Sequence, residues 1–268
     1  MTANSTPDAG LLAISARYTA GRRRMLALLS EQESAGAFTR TFYMTPDSQR
    51  DGKPLPDLGA PAGHNARSVR ADITAMVRQA PESGTGIVLF LGESAAMAVA
   101  PPFPVDEDAV AEGFDTAPLV DLLTEDQTVG VVLLRLGRYA VGVVRGEKLV
   151  ASKSGSRYVK NRHRKGGSSQ HRFERSRERL VRELFDKTCQ TARDVFEPRE
   201  GRLDYLLLGG ERHTLADFEK RCGYIRRCGV EVLRRRLEVD RPGKVALEKI
   251  HREVWKSRVY EFRRGVAE

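Results

Sequence analysis

The sequence predicts a layered α/β protein, on three observations. Short β-rich runs bounded by Gly, Pro and Asp alternate with apolar stripes at helical spacing. The 268 residues are 40% hydrophobic, enough to bury a core in one large or two ordinary domains. In the second half, strands come first and helices are interleaved afterward, as a mixed sheet covered by helices requires.

Residues 10 to 33 carry Leu11, Leu12, Ile14, Tyr18, Met25, Leu26 and Leu29 in loose helical spacing, so residues 1–37 are expected to form an N-terminal helical segment. An N-terminal α/β domain is expected over 38–127. Phe38 to Met44 is a short β-like run ending at Thr45-Pro46-Asp47, and the DGKPLPDLGAPAG that follows is loop-like. Asn65 can cap a helix carrying Val69, Ile73, Met76, Val77 and Ala80, because its side-chain oxygen accepts an otherwise unpaired first-turn N–H. Ile87 to Leu91 and Ala95 to Ala100 are buried-strand candidates. Residues 101–127, opening with Pro101-Pro102-Phe103-Pro104 and continuing acidic, read as the join between domains.

The third segment, 128–268, reads more plainly. Thr128 to Leu136, Tyr139 to Arg145 and Lys148 to Ser152 are β-rich runs separated by Gly137-Arg138 and Gly146-Glu147, which suits an antiparallel meander. From His171 to about Val195 the positions of Phe173, Leu180, Val181, Leu184, Phe185, Cys189 and Ala192 describe an amphipathic helix. Leu203 to Leu208 is a buried strand ending in Gly209-Gly210, with a helix from about Leu215 and a last helix from Lys244 to Phe262. Arg22-Arg23-Arg24 and Arg234-Arg235-Arg236 are expected on exposed helix faces, and Trp255 in the core.

Charge is unevenly spread. Between Arg78 and Arg135 there is no Lys or Arg but ten Asp/Glu, whereas residues 153 to 182 hold eleven Lys/Arg against Glu174 and Glu178 alone. That stretch therefore carries the whole formal charge of +9. Such a patch, centred on the small uncharged run Gly166-Gly167-Ser168-Ser169-Gln170, points to an RNA-directed surface. The basic loop is placed at 153–171. Arg157, Lys160, Arg162, His163, Arg164, Lys165, His171, Arg172 and Arg175 are the candidate RNA contacts, since Arg forks grip phosphate oxygens and His can hydrogen-bond or stack.

Cys189, Cys222 and Cys228 are odd in number and lack zinc-ligand spacing, so they are expected to be reduced and structural. No metal or cofactor is expected. The N-terminus lacks a secretion signal and no apolar run is long enough for a membrane helix, so a soluble cytoplasmic protein, without a membrane partner, is the expectation.

The chemistry of the loop follows from what surrounds it. There is no phosphate-binding GxxxxGK[ST], no HExxH and no GxSxG, and Arg135 stands where a two-metal nuclease of ribonuclease-H type would place an Asp. A Gln amide does not titrate but offers two donors and an acceptor that hold a water or a developing alkoxide in place. Orientation in a dry site supplies as much as about 7 to 11 kcal/mol of a barrier, sufficient for an activated ester. The aminoacyl ester at the 3′ end of a tRNA meets that description, and its neighbouring phosphates account for the cations.

The run Gly167-Ser168-Ser169-Gln170, set between a basic strand end and an Arg-rich helix, resembles the catalytic loop of the Vms-like release factors, the peptidyl-tRNA hydrolases of ribosome quality control, and specifically their actinobacterial branch. More distantly it is similar to the Gly-Gly-Gln loop of archaeal and eukaryotic class-1 release factors. The resemblance extends over about residues 128 to 262, and more weakly over the N-terminal half. It implies that the catalytic residues are Gln170 together with Gly167, Ser168 and Ser169 of its loop. It also implies a ribonuclease-H-like release-factor central domain with a mixed sheet and flanking helices, entering the peptidyl-transferase centre of the large ribosomal subunit beside 23S rRNA. Peptidyl-tRNA is then the substrate, and a monomer is favoured because a ribosomal cavity must admit the loop. Ser168 and Ser169 depart from the Gly-Gly-Gln form, making positive-φ backbone costlier. No segment resembles a stop-codon-reading domain, so release is expected to be independent of a stop codon, as in rescue of stalled ribosomes. Two other readings stay open: an endonuclease cutting the tRNA acceptor 3′ end, with His163 or His171 assisting a ribose 2′-hydroxyl, and a non-catalytic ribosome or tRNA binder.

Overall fold

A computed structural model describes residues 12–51, 66–159, 169–199 and 201–264, with the side chains of 66–68 and 169–171 excepted. The chain divides into two units, one running up to Thr124 and taking back the chain from Trp255 onward, the other comprising Glu125–Val254.

In the first unit β1 (Leu12–Ala20), β11 (Ser257–Arg264), β4 (Ala95–Ala100), β3 (Ile87–Leu91), β2 (Arg40–Met44) and β5 (Ala109–Glu112) lie side by side in that order, each antiparallel to its neighbours. β3 is apolar at every position because both faces are covered. Ile87, Leu89 and Leu91 pack with Val69, Ile73 and Met76 of α3 (Ala66–Gln79). Val88 and Phe90 pack with Met25, Leu28 and Leu29 of α1 (Arg22–Ala35) and with Leu119 and Leu123 of α4 (Ala117–Thr124). A short α2 (Pro46–Asp51) follows β2. Trp255 is buried edge-on to Phe103, with the Arg22 guanidinium 4.4 Å from its ring centre.

Three expectations are corrected here. The helix expected over residues 10 to 33 is β1 followed by α1, with Gly21 between them. Leu12 and Ala20 are buried while Ile14 is 36% exposed, so the apolar residues that mimic a helical period belong to an edge strand that finds its partner in β11. The last helix expected over Lys244 to Phe262 is two short helices, α8 (Lys244–Glu248) and α9 (His251–Val254), and then β11, held between β1 and β4. The stretch 101–127, read as a join, contributes β5 and α4 to the first unit. The 52–65 segment and the Asn65 cap lie outside the described residues.

In the second unit β6 (Thr128–Arg135), β7 (Arg138–Arg145) and β8 (Lys148–Ser156) form the expected antiparallel meander. Gly137 and Gly146 turn the chain at φ +96° and +54°, a conformation costly for residues with a Cβ. β9 (Tyr205–Gly210) runs parallel to β6, and β10 (Glu231–Leu237) parallel to β9, giving the order β10-β9-β6-β7-β8. A three-strand meander whose first strand takes two further parallel strands on its free edge is a ribonuclease-H-like sheet. Arg234, Arg235 and Arg236 lie on β10, not on a helix face as expected.

The long helix α5 (Ser169–Phe196) covers one face of this sheet, burying Leu184, Phe185, Ala192, Val195 and Phe196 against Val132, Leu134, Tyr139, Val141, Val143, Leu206 and Leu208. Gly130 permits the close approach, because a Cβ there would lie 2.4 Å from the Leu206 side chain and 3.2 Å from the Phe196 ring. Two helices, α6 (Arg212–Arg221) and α7 (Gly223–Arg227), connect β9 to β10. Cys189 of α5 and Cys222, between α6 and α7, form a disulfide, leaving Cys228 as the free thiol. This corrects the expectation of three reduced cysteines: packing of α5 on the α6–α7 corner brings together two residues 33 apart in sequence. Arg221 reinforces the corner with two bonds of 2.7 Å to the Asp186 carboxylate.

Candidate functional site

The basic segment springs from the end of β8 and returns into α5, and ion pairs tie its two stems together. Lys153 Nζ lies 2.9 Å from Asp194 Oδ2, and the Arg157 guanidinium lies 2.5 Å from Glu183 Oε2. Gln190 donates to the other Asp194 oxygen at 2.8 Å. The hydrogen bond from Lys153, then that from Gln190, holds the Asp194 carboxyl below its ordinary pKa. Arg179 approaches Glu183 from its own helix at 3.8 Å. The Arg157 N–H donates to Gly137 O at 3.0 Å, and Val159 packs against the second unit's core. The chain is thus anchored as far as Val159.

α5 begins at Ser169, so Gln170 lies in its first turn. None of its described side chains from Arg172 to Glu183 is buried; Leu184 is the first. Fifteen residues of helix at 1.5 Å each place Ser169 about 22 Å from that anchor. Arg172, Phe173, Glu174 and Arg175 are exposed, and the first turn contains no acid. The positive end of the helix dipole therefore adds to the charge of the arginines without a local counter-charge from the first turn.

Of the sequence-derived candidates, Arg172 and Arg175 lie exposed on α5. Arg157 is at the stem and already engaged by Glu183. Ser169, Gln170 and His171 are placed by their backbone in the helix rather than in a loop. Gly167, Ser168, Lys160, Arg162, His163, Arg164 and Lys165 lie outside the described residues. The loop expected at 153–171 is consequently shorter, because β8 continues to Ser156 and α5 starts at Ser169. Sequence reasoning missed Glu183 and Asp194, whose partners stand 26 and 41 residues away. Only the Arg179–Glu183 spacing of four residues was visible locally.

The model of the Actinobacteria/chloroflexi VLRF1 release factor family matches residues 127–260, which include both stems, α5 and the whole five-stranded sheet. The chain belongs to this family. It is also similar to peptide chain release factor subunit 1 of Archaeoglobus fulgidus, with 25% identity over 217 residues, 73% of this chain and 53% of that protein. The same factor of Methanopyrus kandleri is 29% identical over 153 residues, 53% of this chain and 37% of its own. The chain spans about half the length, or less, of these curated relatives. Among solved structures, that of the archaeal translation termination factor aRF1 aligns over 88% of this chain and 73% of its own, with 16% identity and a TM-score of 0.37. The VLRF1 match thus covers nearly all of the unit that holds the Gln170 helix and continues six residues into the other.

Proposed function

We propose that this VLRF1 chain is a peptidyl-tRNA hydrolase that releases nascent peptide from tRNA on stalled ribosomes or large subunits, independently of a stop codon. The observation that carries the reading is the position of Gln170, in the outermost turn of a helix that runs about 22 Å before its first buried side chain. A scaffold of this form carries a non-titrating amide to a reacting centre that the rest of the domain need not enter.

In the proposed reaction the Gln170 amide accepts a hydrogen bond from water and orients its oxygen toward the ester carbonyl carbon. The C–O bond to the ribose 3′-oxygen breaks, the water's proton ends on that oxygen, and the products are a free peptide carboxyl and deacylated tRNA. Arg172 and Arg175, with the cations of the adjoining loop, hold acceptor-end phosphates or 23S rRNA. Family membership supports the assignment to translation. The acid-free first turn supports an anionic ligand at the tip.

The test is single-turnover release from ribosome-bound tRNA carrying a labelled peptide, without a stop codon, with peptide and tRNA resolved together. Gln170→Ala is expected to slow release on the order of 100-fold, the cost typical of losing one positioned hydrogen-bonding group. Release at the wild-type rate refutes the assignment. A peptide still joined to a short 3′ RNA fragment would make the protein an endonuclease instead.

A further inference from the structure

Six large apolar side chains are exposed among the described residues, and two of them, Tyr158 at 74% and Phe173 at 55%, flank the basic loop, one on each stem. Tyr158 follows Arg157, and Phe173 follows Arg172. From Lys153 to Phe173 the chain has seven Lys/Arg and not one Asp or Glu. Phe173 sits seven residues before Leu180 and eleven before Leu184, on the stripe that further along α5 packs into the core. It continues that stripe beyond the last buried position while remaining more than half exposed. Gln170 holds the backbone position three residues earlier in the same helix.

We propose that Tyr158 and Phe173 are stacking platforms for unpaired nucleobases of the RNA that the basic loop grips. Every base offers a π-face, and an aromatic ring framed by arginines holds the base while the guanidinium groups hold its phosphates. The run from Lys153 to Phe173, with seven cations and no acid before Glu174, favours a polyanion over a protein partner. One exposed ring beside Arg172 and Arg175 lacks the broad apolar face of a membrane-surface helix. Phe173, one turn behind Gln170, would fix a base next to the scissile ester. The inference rests on the reading that this loop meets an unpaired RNA end, and it assigns the groups that recognise the bases.

The experiment compares a short single-stranded RNA with an abasic oligonucleotide of the same length, by fluorescence anisotropy at fixed salt. Wild type, Phe173→Leu, Tyr158→Leu and the conservative Phe173→Tyr and Tyr158→Phe are measured. Each Leu variant is expected to bind the RNA about tenfold more weakly, with abasic binding unchanged and the aromatic replacements close to wild type. Equal RNA affinity in wild type and the Leu variants overturns the stacking role while leaving Gln170 chemistry intact. Equal losses on RNA and abasic probes overturn it too, since the rings would then act through the charge arrangement. Wild type that binds neither probe, or that prefers phosphatidylserine vesicles to RNA, removes this inference. Whether the hydrolase reading survives is then decided by the release assay.

Discussion

Glu183 is the residue through which the stem ion pairs can be weighed against RNA binding. Replacing it by Gln removes the carboxylate facing Arg157 at 2.5 Å and Arg179 at 3.8 Å. The Arg157 and Glu183 side chains are 54% and 35% exposed, so the pair is worth less than about 1 kcal/mol. Spread over the unfolding entropy of the unit Glu125–Val254, at about 2.1 cal/mol/K per residue, that cost lowers Tm by no more than about 4 °C. The effect on RNA is opposite in sign. If Arg157 is freed to make one additional phosphate contact, the slope of log K against log salt steepens by about 0.7 for a single strand, which amounts to about fivefold tighter binding near 0.1 M salt and vanishes near 1 M. A salt titration of RNA affinity for wild type and Glu183→Gln, beside thermal melts of both, reads the two quantities separately. An unchanged slope, or weaker binding at low salt with a normal melt, refutes the idea that Glu183 holds Arg157 in reserve.

Three further outcomes follow from the same stem and helix. Leu184→Ala, at the first fully buried position of α5, should cost about 3 kcal/mol and lower Tm by about 11 °C; a melt shifted by only a few degrees would show that α5 is anchored elsewhere. Reduction of Cys189–Cys222 should destabilise the second unit by up to about 4 kcal/mol in the chain-entropy picture, and alkylation before reduction should label Cys228 alone; three labelled cysteines would contradict the pairing. Asp194 has a folded-state pKa below its ordinary 3.8, so its contribution to stability is present above that value and is lost as pH falls through the lower, folded-state pKa. Asp194→Asn should therefore flatten the acid limb of the stability profile below about pH 4 while changing little above it, and unaltered acid denaturation would remove Asp194 from the stem.

The sequence made the central strands of both sheets legible, because they are apolar at nearly every position and bounded by Gly or Pro. Ile87–Leu91 and Ala95–Ala100 are strands over those residues, and the 128–156 meander turns at Gly137 and Gly146 as expected. The misread segments were the edge strand β1 and its neighbour β11, which lie far apart in the chain. β1 is largely exposed, β11 carries Arg258, Glu261, Arg263 and Arg264, and they are strands because β1 pairs β11 and β11 pairs β4, contacts between distant parts of the chain that local periodicity does not encode. The candidate site divides the same way. Gln170 and its cations are adjacent in sequence and so stand out in it, whereas Lys153–Asp194, Arg157–Glu183 and Cys189–Cys222 exist only once α5 lies across β7 and β8 and against the α6–α7 corner. Phe173 looked like an ordinary core position because it lies on the right stripe; what distinguishes it is that no buried core accompanies the helix that far out.

The placement of acids along α5 gives the charge a direction. Asp194, Glu183, Glu178 and Glu174 are spaced along the helix, and the chain then has no acid back to Lys153. Lys153 and Arg157 have carboxylate partners at the base, Arg182 pairs with Glu178 further out, and the first turn has no acid. Ser169 lies about 21 Å along the helix from Glu183, more than two Debye lengths at physiological ionic strength. Glu183 and Asp194 therefore screen little of the field at the tip, where Glu174, about 7.5 Å along the helix from Ser169, is the first acid. An approaching polyanion feels the end of α5 rather than its flank, so encounter is biased toward orientations in which the Gln170 turn arrives first. Adding acids at the base would then leave association nearly unchanged, whereas one acid in the first turn, which has none, would slow it, which makes the distribution of charge, more than its sum, the property on which the proposed function depends.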